Sequence, residues 1–574
     1  MNHSLHNNSL ACWAWVAVVA VTVGLRSFSQ AAETNAPRPN IVVILADDLG
    51  YSDIGCYGSE ISTPNLDRMA SNGLRMTQFY TTPRCCPTRA ALLTGLYPQQ
   101  AGMGNMMEDR GLPGYRGELN RNCLTIAEEL RRADYRTSMV GKWHVSHIYF
   151  DGKKQLDYES DKPFWDNKDG WPLQRGFDKF YGTIHGVNSY YDPFSLVQDN
   201  TPIRAGGTNF YYTDALTENA VADIDRYAGG EKPFFLYVAY TAPHWPLHAP
   251  EADIAKYQER YLAGWDVIRT NRYQRQIEMG LIDKRWPLTP RDSQVPAWSE
   301  VRDKTWEANR MATYAAMVER LDRGIGHILD RLKEKGVAEN TLVIFLSDNG
   351  ACAEAVEPGW YDIPSRTRDG RQIKVGNGNH SVYAGPDNVW QSYGLPWANV
   401  SDTPFQLYKH FAHEGGIATP FIAHWPAVIK NSGAVSTQPA HVTDIMATVV
   451  DVAALKHPDH YQGRSVLPLE GRSLLPIFQG KLRTDSSPMF WEHEGNRAIR
   501  SGRWKLVARH GRDWELYDVE ADRTEQNNLA AANHEKIKDM ATLYNAWAKR
   551  CNVILPEQLP PERPIVPATN QPPR

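Results

Sequence analysis

The sequence predicts an α/β fold in which a mostly parallel sheet is covered by helices on both faces. Two observations support this prediction. Short strands are indicated at 41–46, 136–140, 234–240 and 342–346, and segments of helical periodicity separate them. Each strand also leads directly into a polar cluster, and ligands bind outside the carboxyl ends of strands in open α/β sheets. We therefore expect these clusters to converge at one edge of the sheet, although they lie far apart in the chain.

The helices between the strands have recognisable ends. A Thr-Pro pair opens a helix that Gly73 closes. Thr125 and Glu128 have the spacing of a capping box and indicate the start of another helix. A long amphipathic helix has its apolar positions between residues 311 and 332 and ends near Gly336. Helices of this kind between strands favour parallel crossover connections.

The chain divides into four segments: a signal peptide (1–32), a large main domain (33–484), a small C-terminal subdomain (485–555) and a proline-rich tail (556–574). The subdomain is predicted because short strands with glycine-containing turns replace the longer apolar strands. These strands and a closing helix are placed at 498–500, 503–507, 514–517 and 535–549. The pattern predicts a smaller α+β unit built on an antiparallel sheet.

The N-terminus indicates export. An apolar run at 13–25 precedes small residues that suit cleavage near Ala31 or Ala32. The first ten residues lack Lys and Arg, so a retained N-terminal anchor is the alternative. We expect a secreted or periplasmic protein with no stable membrane insertion after cleavage, because the run is short for a bilayer span.

Composition excludes several classes of protein. The net charge is −4 over 574 residues, which offers no basic surface for nucleic acid. Seven cysteines in a chain of this length do not form a disulfide scaffold. Cleavage of the signal peptide would remove Cys12, and the other six would remain. The composition is that of a large globular protein, and we expect no nucleic-acid partner.

The segment 85–95, CCPTRAALLTG, is the most informative in the chain. Pro87 suits a first helical turn, and Gly95 suits the position after the last turn. Cys85 therefore lies at the N-terminus of a short helix, where free N–H groups and the helix dipole favour a bound anion. Arg89 adds a fixed cation that can bind oxyanions. These residues predict an anion site with a reactive cysteine.

Hard oxygen donors follow two of the predicted strands: Asp47, Asp48, Asp348 and Asn349. Three carboxylates do not crowd together without a cation. An all-oxygen set indicates Ca²⁺ or Mg²⁺ rather than zinc. The alternative is that these residues only form turns.

The segment around Cys85 resembles the signature of type I sulfatases, C-x-P-[S/T]-R followed by an apolar pair, Thr and Gly. Gly-Lys-Trp-His at 141–144, Pro-His-Trp-Pro at 243–246 and Glu-Gly-Gly at 414–416 extend the resemblance, which looks closest to bacterial secreted arylsulfatases. The resemblance implies an alkaline-phosphatase-like core. It also implies that a formylglycine-generating maturation enzyme converts Cys85 to formylglycine, whose hydrate is the nucleophile.

The resemblance implies roles for individual side chains. The implied metal ligands are Asp47, Asp48, Cys85 (as formylglycine), Asp348 and Asn349, with Ca²⁺ preferred to Mg²⁺. The implied catalytic residues are Cys85, Arg89, Lys142, His144, His244 and Lys409. Lys142 and Lys409 would bind the sulfate, and His144 would orient the nucleophile. His244 would protonate the departing alcohol.

The function expected from this resemblance is hydrolysis of sulfate monoesters to inorganic sulfate and an alcohol or phenol. The alternatives are a phosphodiester or phosphonate monoester hydrolase on the same scaffold, a sulfatase specific for a sulfated polysaccharide, and a carbohydrate-binding protein with an inactive site. Loops such as 375–401 would form the substrate walls without selecting a sugar or an aryl ester. His248 and His493 are left outside the site, with structural roles.

Overall fold

A computed structural model describes residues 38–147, 168–207, 209–360, 363–484 and 487–563. The predicted signal peptide and residues 564–574 of the proline-rich tail lie outside the described residues. Among the described residues, no helix combines the length and the apolar character that a membrane span requires. The six cysteines of the described segments are all buried and none of them forms a disulfide.

The regular elements of the described residues are twenty strands and fourteen α-helices. The strands are β1 (Asn40–Ala46), β2 (Leu74–Met76), β3 (Phe79–Tyr80), β4 (Arg136–Lys142), β5 (Lys179–Thr183), β6 (Leu196–Gln198), β7 (Thr201–Pro202), β8 (Phe234–Ala239), β9 (Thr341–Ser347), β10 (Lys374–Val375), β11 (Val389–Trp390), β12 (Phe421–His424), β13 (Ala434–Ser436), β14 (Ala440–His441), β15 (His460–Tyr461), β16 (Arg464–Ser465), β17 (Met489–His493), β18 (Asn496–Ser501), β19 (Trp504–Ala508) and β20 (Glu515–Asp518). The helices are α1 (Pro64–Ser71), α2 (Cys85–Thr94), α3 (Pro98–Ala101), α4 (Ile126–Arg132), α5 (Tyr212–Tyr227), α6 (Glu251–Ala255), α7 (Gln258–Tyr261), α8 (Trp265–Glu278), α9 (Lys304–Glu334), α10 (Gly394–Ser401), α11 (Glu414–Ile417), α12 (Asp444–Val452), α13 (Leu475–Phe478) and α14 (His534–Arg550).

The main sheet has ten strands in the order β13-β2-β12-β9-β1-β8-β4-β5-β6-β7. Its central strands β9, β1, β8, β4 and β5 are parallel, and β12 and β6 join them antiparallel on the two sides. All four strands predicted from apolar segments are in this parallel centre. The predicted fold class is confirmed.

Strand β1 shows how the sheet is buried on both faces. Val42 and Ile44 pack with residues of α1, α5 and α9, whereas Ile41 and Val43 pack with residues of α2, α4 and α12. Successive side chains of a strand point to opposite faces, so an uninterrupted apolar strand needs helices on both sides. The apolar segment 41–46 therefore requires a helical layer on each face of the sheet.

The predicted helix ends agree with the structure. The Thr125 hydroxyl accepts a hydrogen bond from the Glu128 N–H, and the Glu128 carboxylate accepts one from the Thr125 N–H, so the capping box is formed. Gly95 ends α2 with φ of 68°, a backbone conformation that suits glycine. Gly336 follows α9 with φ of 70°. Pro98 opens the next helix, α3.

A four-stranded antiparallel sheet, β17-β18-β19-β20, with α14 against it forms the C-terminal region. Strands β18, β19 and β20 correspond to the three predicted strands. Strand β17 was not predicted; its Trp491 joins the core of the main sheet, and its indole N–H donates to the Thr81 carbonyl at 2.9 Å. The division of the chain at residue 485 stays a prediction.

Candidate active site

The parallel strands end in one buried group of polar side chains. Asp47 and Asp48 follow β1, Lys142 ends β4, and Asp348 and Asn349 follow β9. All five are at most 1% exposed. The register of β1 with β9, in which Ala46 lies opposite Ser347, brings the two acidic pairs together because parallel strands end at the same edge. The predicted convergence of these clusters is confirmed.

Hydrogen bonds link the polar residues after β1 to those after β9. The Asn349 amide nitrogen donates to Asp48 Oδ1 at 2.7 Å, and the Asp48 backbone N–H donates to Asp348 Oδ1 at 3.1 Å. The backbone of Asp48 has φ of 63°, a conformation that non-glycine residues seldom adopt. Strained backbone of this kind is found at ligand sites.

Each carboxylate also has a cationic neighbour. Lys142 Nζ lies 2.5 Å from Asp47 Oδ2, and Lys409 Nζ lies 3.0 Å from Asp48 Oδ2. Arg89, on α2, places Nη2 2.8 Å from Asp348 Oδ2. The guanidinium is fully buried; besides these acids it contacts the Lys142 carbonyl, to which Nη1 donates at 3.0 Å.

Two buried oxygen atoms of this group have no hydrogen-bond partner among the described residues: Asp47 Oδ1 and Asn349 Oδ1. Burial and the charge of Asp47 raise the pKa of Asp348 well above its usual range. Burial also raises the pKa of Asp47, but its cationic neighbours, Lys142 first, lower it to about 2. Unpartnered oxygens among repelling carboxylates fit a hard divalent cation bound by oxygen.

Cys85 opens α2 beside this group. Its sulfur lies within 4.8 Å of the possible ligand atoms of Cys86 and His144. A hydrogen bond from Cys86 lowers the pKa of the Cys85 thiol well below its usual range against the effect of burial, and the nearby charge of Lys142 acts in the same direction. The position suits an anionic nucleophile.

His144 follows β4 with φ of 56°. Burial, and then the charge of Lys142, lower its pKa to about 3, so the imidazole is neutral at physiological pH. Gly186 lies directly against this ring, because a Cβ atom there would be 2.2 Å from His144 Nε2. The sequence carries no pattern that indicates this contact.

His244 lies in the loop after β8. Its Nδ1 hydrogen-bonds to the Trp245 carbonyl at 2.5 Å, and since a carbonyl only accepts, Nδ1 carries a proton. The other ring nitrogen, Nε2, lies 3.4 Å from Asp48 Oδ2. When protonated, Nε2 can donate to an oxygen in the site.

The two histidines left outside the site differ. His248 bonds the backbone with both ring nitrogens, to the Val389 carbonyl at 2.9 Å and to the Tyr190 N–H at 3.4 Å, which is a structural arrangement. His493 is fully buried, and neither of its ring nitrogens has a hydrogen-bond partner among the described residues. It groups with His410 and Glu494.

Sequence reasoning missed two charged residues that lie behind the proposed sulfate-binding lysine Lys409. Glu354 contacts Lys409, and Arg84 contacts Glu354. Glu354 lies five residues beyond Asn349, after the end of β9, and that place in the chain is the one signal that could have found it. The segment 375–401 is not all loop, because α10 occupies its end and Trp397 there is fully buried and donates to the Glu307 carbonyl.

Two family models and several known proteins match this chain. The sulfatase family model covers residues 39–455, and the model described as N-sulphoglucosamine sulphohydrolase, C-terminal, covers residues 405–547. The chain is 35% identical over 566 residues to an uncharacterized sulfatase of Schizosaccharomyces pombe, over 92% of this chain and 96% of the relative.

It is 33% identical over 480 residues to the arylsulfatase of Klebsiella aerogenes, over 81% of this chain and 97% of the relative. The crystal structure of Ps i-CgsB in complex with k-i-k-neocarrahexaose has a TM-score of 0.62 and 25% identity, covering 89% of this chain and 93% of that one. The family match spans well over half of the chain, and it agrees with the convergence of the acidic pairs beside Cys85. The chain belongs to the sulfatase family of sulfuric ester hydrolases.

Proposed function

We propose that this sulfatase hydrolyses sulfate monoesters of the arylsulfatase type with a formylglycine at position 85 and a bound Ca²⁺. The products would be inorganic sulfate and an alcohol or phenol. The observation that carries the proposal is that Lys142, Lys409 and His244 all contact the acidic pair Asp47 and Asp48, beside the N-terminus of the helix that Cys85 opens.

The proposed metal ligands are Asp47, Asp48, Asp348, Asn349 and the modified residue 85. The unpartnered oxygens of Asp47 and Asn349 support this assignment, and the oxygen-only donors from the chain favour Ca²⁺, with Mg²⁺ second. A bound divalent cation supplies charge stabilisation for developing negative charge. It would also relieve the repulsion that raises the pKa of Asp348.

The basic side chains of the site would bind the sulfate group. Lys142 contacts Asp47 and Lys409 contacts Asp48, so each lysine is held by one carboxylate of the acidic pair. Oriented cations in a buried site stabilise charge that develops on the transferred group, and this is the largest effect in many enzymes. Arg89 holds Asp348 and Asp47 in place, at 2.8 and 3.5 Å.

The two histidines would act on opposite sides of the sulfur. His144 lies near Cys85 and would orient the hydrated aldehyde, whose hydroxyl is the nucleophile once residue 85 is modified. His244 has its Nδ1 proton held by the Trp245 carbonyl, so Nε2 is the atom that would give a proton to the leaving alcohol.

Two parts of the proposal concern the cell. Cys85 must meet a formylglycine-generating maturation enzyme, and the signal peptide at 1–32 would direct the chain to the periplasm or the medium.

The test is a hydrolysis screen with the purified protein on nitrophenyl sulfate, sulfated polysaccharides, a phosphodiester and a phosphonate monoester. Sulfate release is measured by ion chromatography. We expect the largest kcat/KM on a sulfate ester, since the chain belongs to the sulfatase family. A larger value on the phosphonate or the phosphodiester would replace the proposal with the alternative hydrolase, and preference for a sulfated polysaccharide over aryl esters would narrow the substrate class.

A further inference from the structure

Glu354 lies where four segments of the site meet. It belongs to the loop after β9, and its neighbours are Trp245 after β8, Arg84 immediately before α2, and Lys409 and His410 before α11. Its side chain is 16% exposed.

The contacts use both carboxylate oxygens. The Trp245 indole N–H donates to Oε2 at 2.9 Å, and Lys409 Nζ lies 3.6 Å from the same oxygen. Arg84 Nη1 donates to Oε1 at 2.7 Å, and His410 Nε2 lies 3.2 Å from that oxygen. One carboxylate thus joins the sulfate lysine, the residue before the nucleophile and the residue after His244.

The charge of Glu354 is maintained by its neighbours. Burial raises its pKa, but the charges of Lys409 and Arg84 lower the pKa well below its usual range. It therefore stays an anion at physiological pH. An anion with five fixed neighbours around it, the Cys352 thiol at 3.3 Å among them, holds those neighbours in one geometry.

Lys409 has two anionic neighbours, Asp48 and Glu354. Asp48 is also a proposed metal ligand, and an oxygen bound to a divalent cation is a weaker partner for an ammonium group. Glu354 is then the carboxylate that remains to fix the direction of Lys409 toward the sulfate. A lysine side chain that is free to turn loses much of its value as an oriented cation.

We propose that Glu354 is a positioning residue that holds Lys409 in its sulfate-binding orientation and ties it to Arg84 and Trp245. Glu354 itself would not touch the substrate. The inference rests on the proposed function, because Lys409 is taken as a ligand of the sulfate group.

The first test compares Glu354→Gln, which keeps the shape and removes the charge, with Glu354→Asp, which keeps the charge. We expect Glu354→Gln to lower kcat/KM on nitrophenyl sulfate about 10- to 100-fold, the loss that follows from removing a hydrogen bond to a charged group. Glu354→Asp should restore part of it. Glu494→Gln is the matched control, because Glu494 also contacts His410 but has no contact with Lys409; it should stay near the wild-type rate.

The second test is a double-mutant cycle with Lys409→Ala. If Glu354 acts through Lys409, adding Glu354→Gln to Lys409→Ala should change kcat/KM by less than about threefold, because contacting residues are not additive. A full additive loss, or a wild-type rate in Glu354→Gln, would overturn the proposal.

The third test does not use catalysis. Inorganic sulfate that binds the folded protein raises its melting temperature. We expect the sulfate-dependent rise, measured from each protein's own melting temperature without sulfate, to be smaller in Glu354→Gln than in wild type. If wild type shows the rise but hydrolyses no sulfate ester, the proposed function fails and this inference survives. If both proteins show the same rise, the inference fails and the proposed function is untouched.

Discussion

Two clusters of fully buried charge in this protein behave differently. One is the acidic group at the strand ends, with Asp348 at its centre. The other joins the C-terminal four-stranded sheet to α11, with Glu414 at its centre. Both carboxyl groups have zero exposure. The pKa of Asp348 is raised well above its usual range, by burial and the charge of Asp47, whereas the cations around Glu414 lower its pKa to about 2 against the effect of burial.

The neighbours explain the difference. Glu414 receives Lys505 Nζ at 2.9 Å on one oxygen and Arg523 Nε at 2.9 Å on the other. Asp348 shares its surroundings with two further carboxylates, and two oxygens of that group have no partner among the described residues. Removing a partner from a buried carboxylate whose two oxygens both contact cations, such as Glu414, is costly, whereas unpartnered oxygens among repelling carboxylates are suited to bind a cation.

The largest expected effect separates chemistry from stability. Cys85→Ala should lower kcat on sulfate esters by about 10⁴-fold or more, because it removes the nucleophile. Cys86→Ala is the matched control and should keep most of the activity. Mass spectrometry of the peptide that contains Cys85 should show conversion to formylglycine in active protein; a fully active preparation with an intact thiol would contradict the assignment.

The next effect depends on the substrate. General acid catalysis contributes roughly 10²–10⁴-fold, and a poor leaving group needs it most. His244→Ala should therefore lose far more kcat on a sugar or alkyl sulfate than on nitrophenyl sulfate, when sulfur–oxygen cleavage limits the rate. His144→Ala, on the nucleophile side, should lower both rates equally. Equal losses in His244→Ala would show that this residue has another role.

Glu414→Gln should lower the stability of the fold without lowering the turnover rate of the folded protein. Removing one member of a buried ion cluster destabilises a protein by about 3–5 kcal/mol, and the folded fraction should keep its kcat. Urea unfolding measures the loss. Since the pKa of Glu414 is depressed, its stabilising effect is complete above its ordinary value of 4.5 and is lost as the pH falls toward 2.

The difference in melting temperature between wild type and Glu414→Gln should accordingly shrink as the pH is lowered below about 4.5. A difference that grows in acid would mean that the paired cluster does not depend on the ionised carboxylate.

The smallest effect sharpens the comparison itself. Ca²⁺ at a hundredfold excess over its Kd should stabilise the protein by about 2.7 kcal/mol, and a chelator should remove both this gain and the activity. Asp348→Asn should lose the response to Ca²⁺, measured as a shift in melting temperature. Glu414→Gln should melt earlier and still respond. A chelated protein that turns over at the full rate would show that no metal is needed.

Much of the site could be read from sequence because its residues lie at element ends. The apolar segment 41–46 predicts a strand buried on both faces, and parallel strands place their carboxyl ends at one edge. Asp48 and Asp348 were therefore expected to meet although 300 residues separate them in the chain. The helix opened by Cys85 was predicted from Pro87 and Gly95, since capping depends on local backbone geometry.

Other features depend on contacts that no local pattern encodes. Strand β17 was missed because its residues 489–493 mix aromatic and charged side chains, and its place is decided by pairing with β18 and by Trp491 in the core. Gly186 matters only because the His144 ring lies against it.

Glu354 became visible only in three dimensions, since its partners come from three other segments of the chain. Local periodicity and capping determined the elements and the chemistry at their ends, because these depend on neighbours in the chain. Tertiary packing alone decided which oxygen atoms lack a partner and which carboxylate holds Lys409, because burial and charge are summed over residues that are distant in sequence.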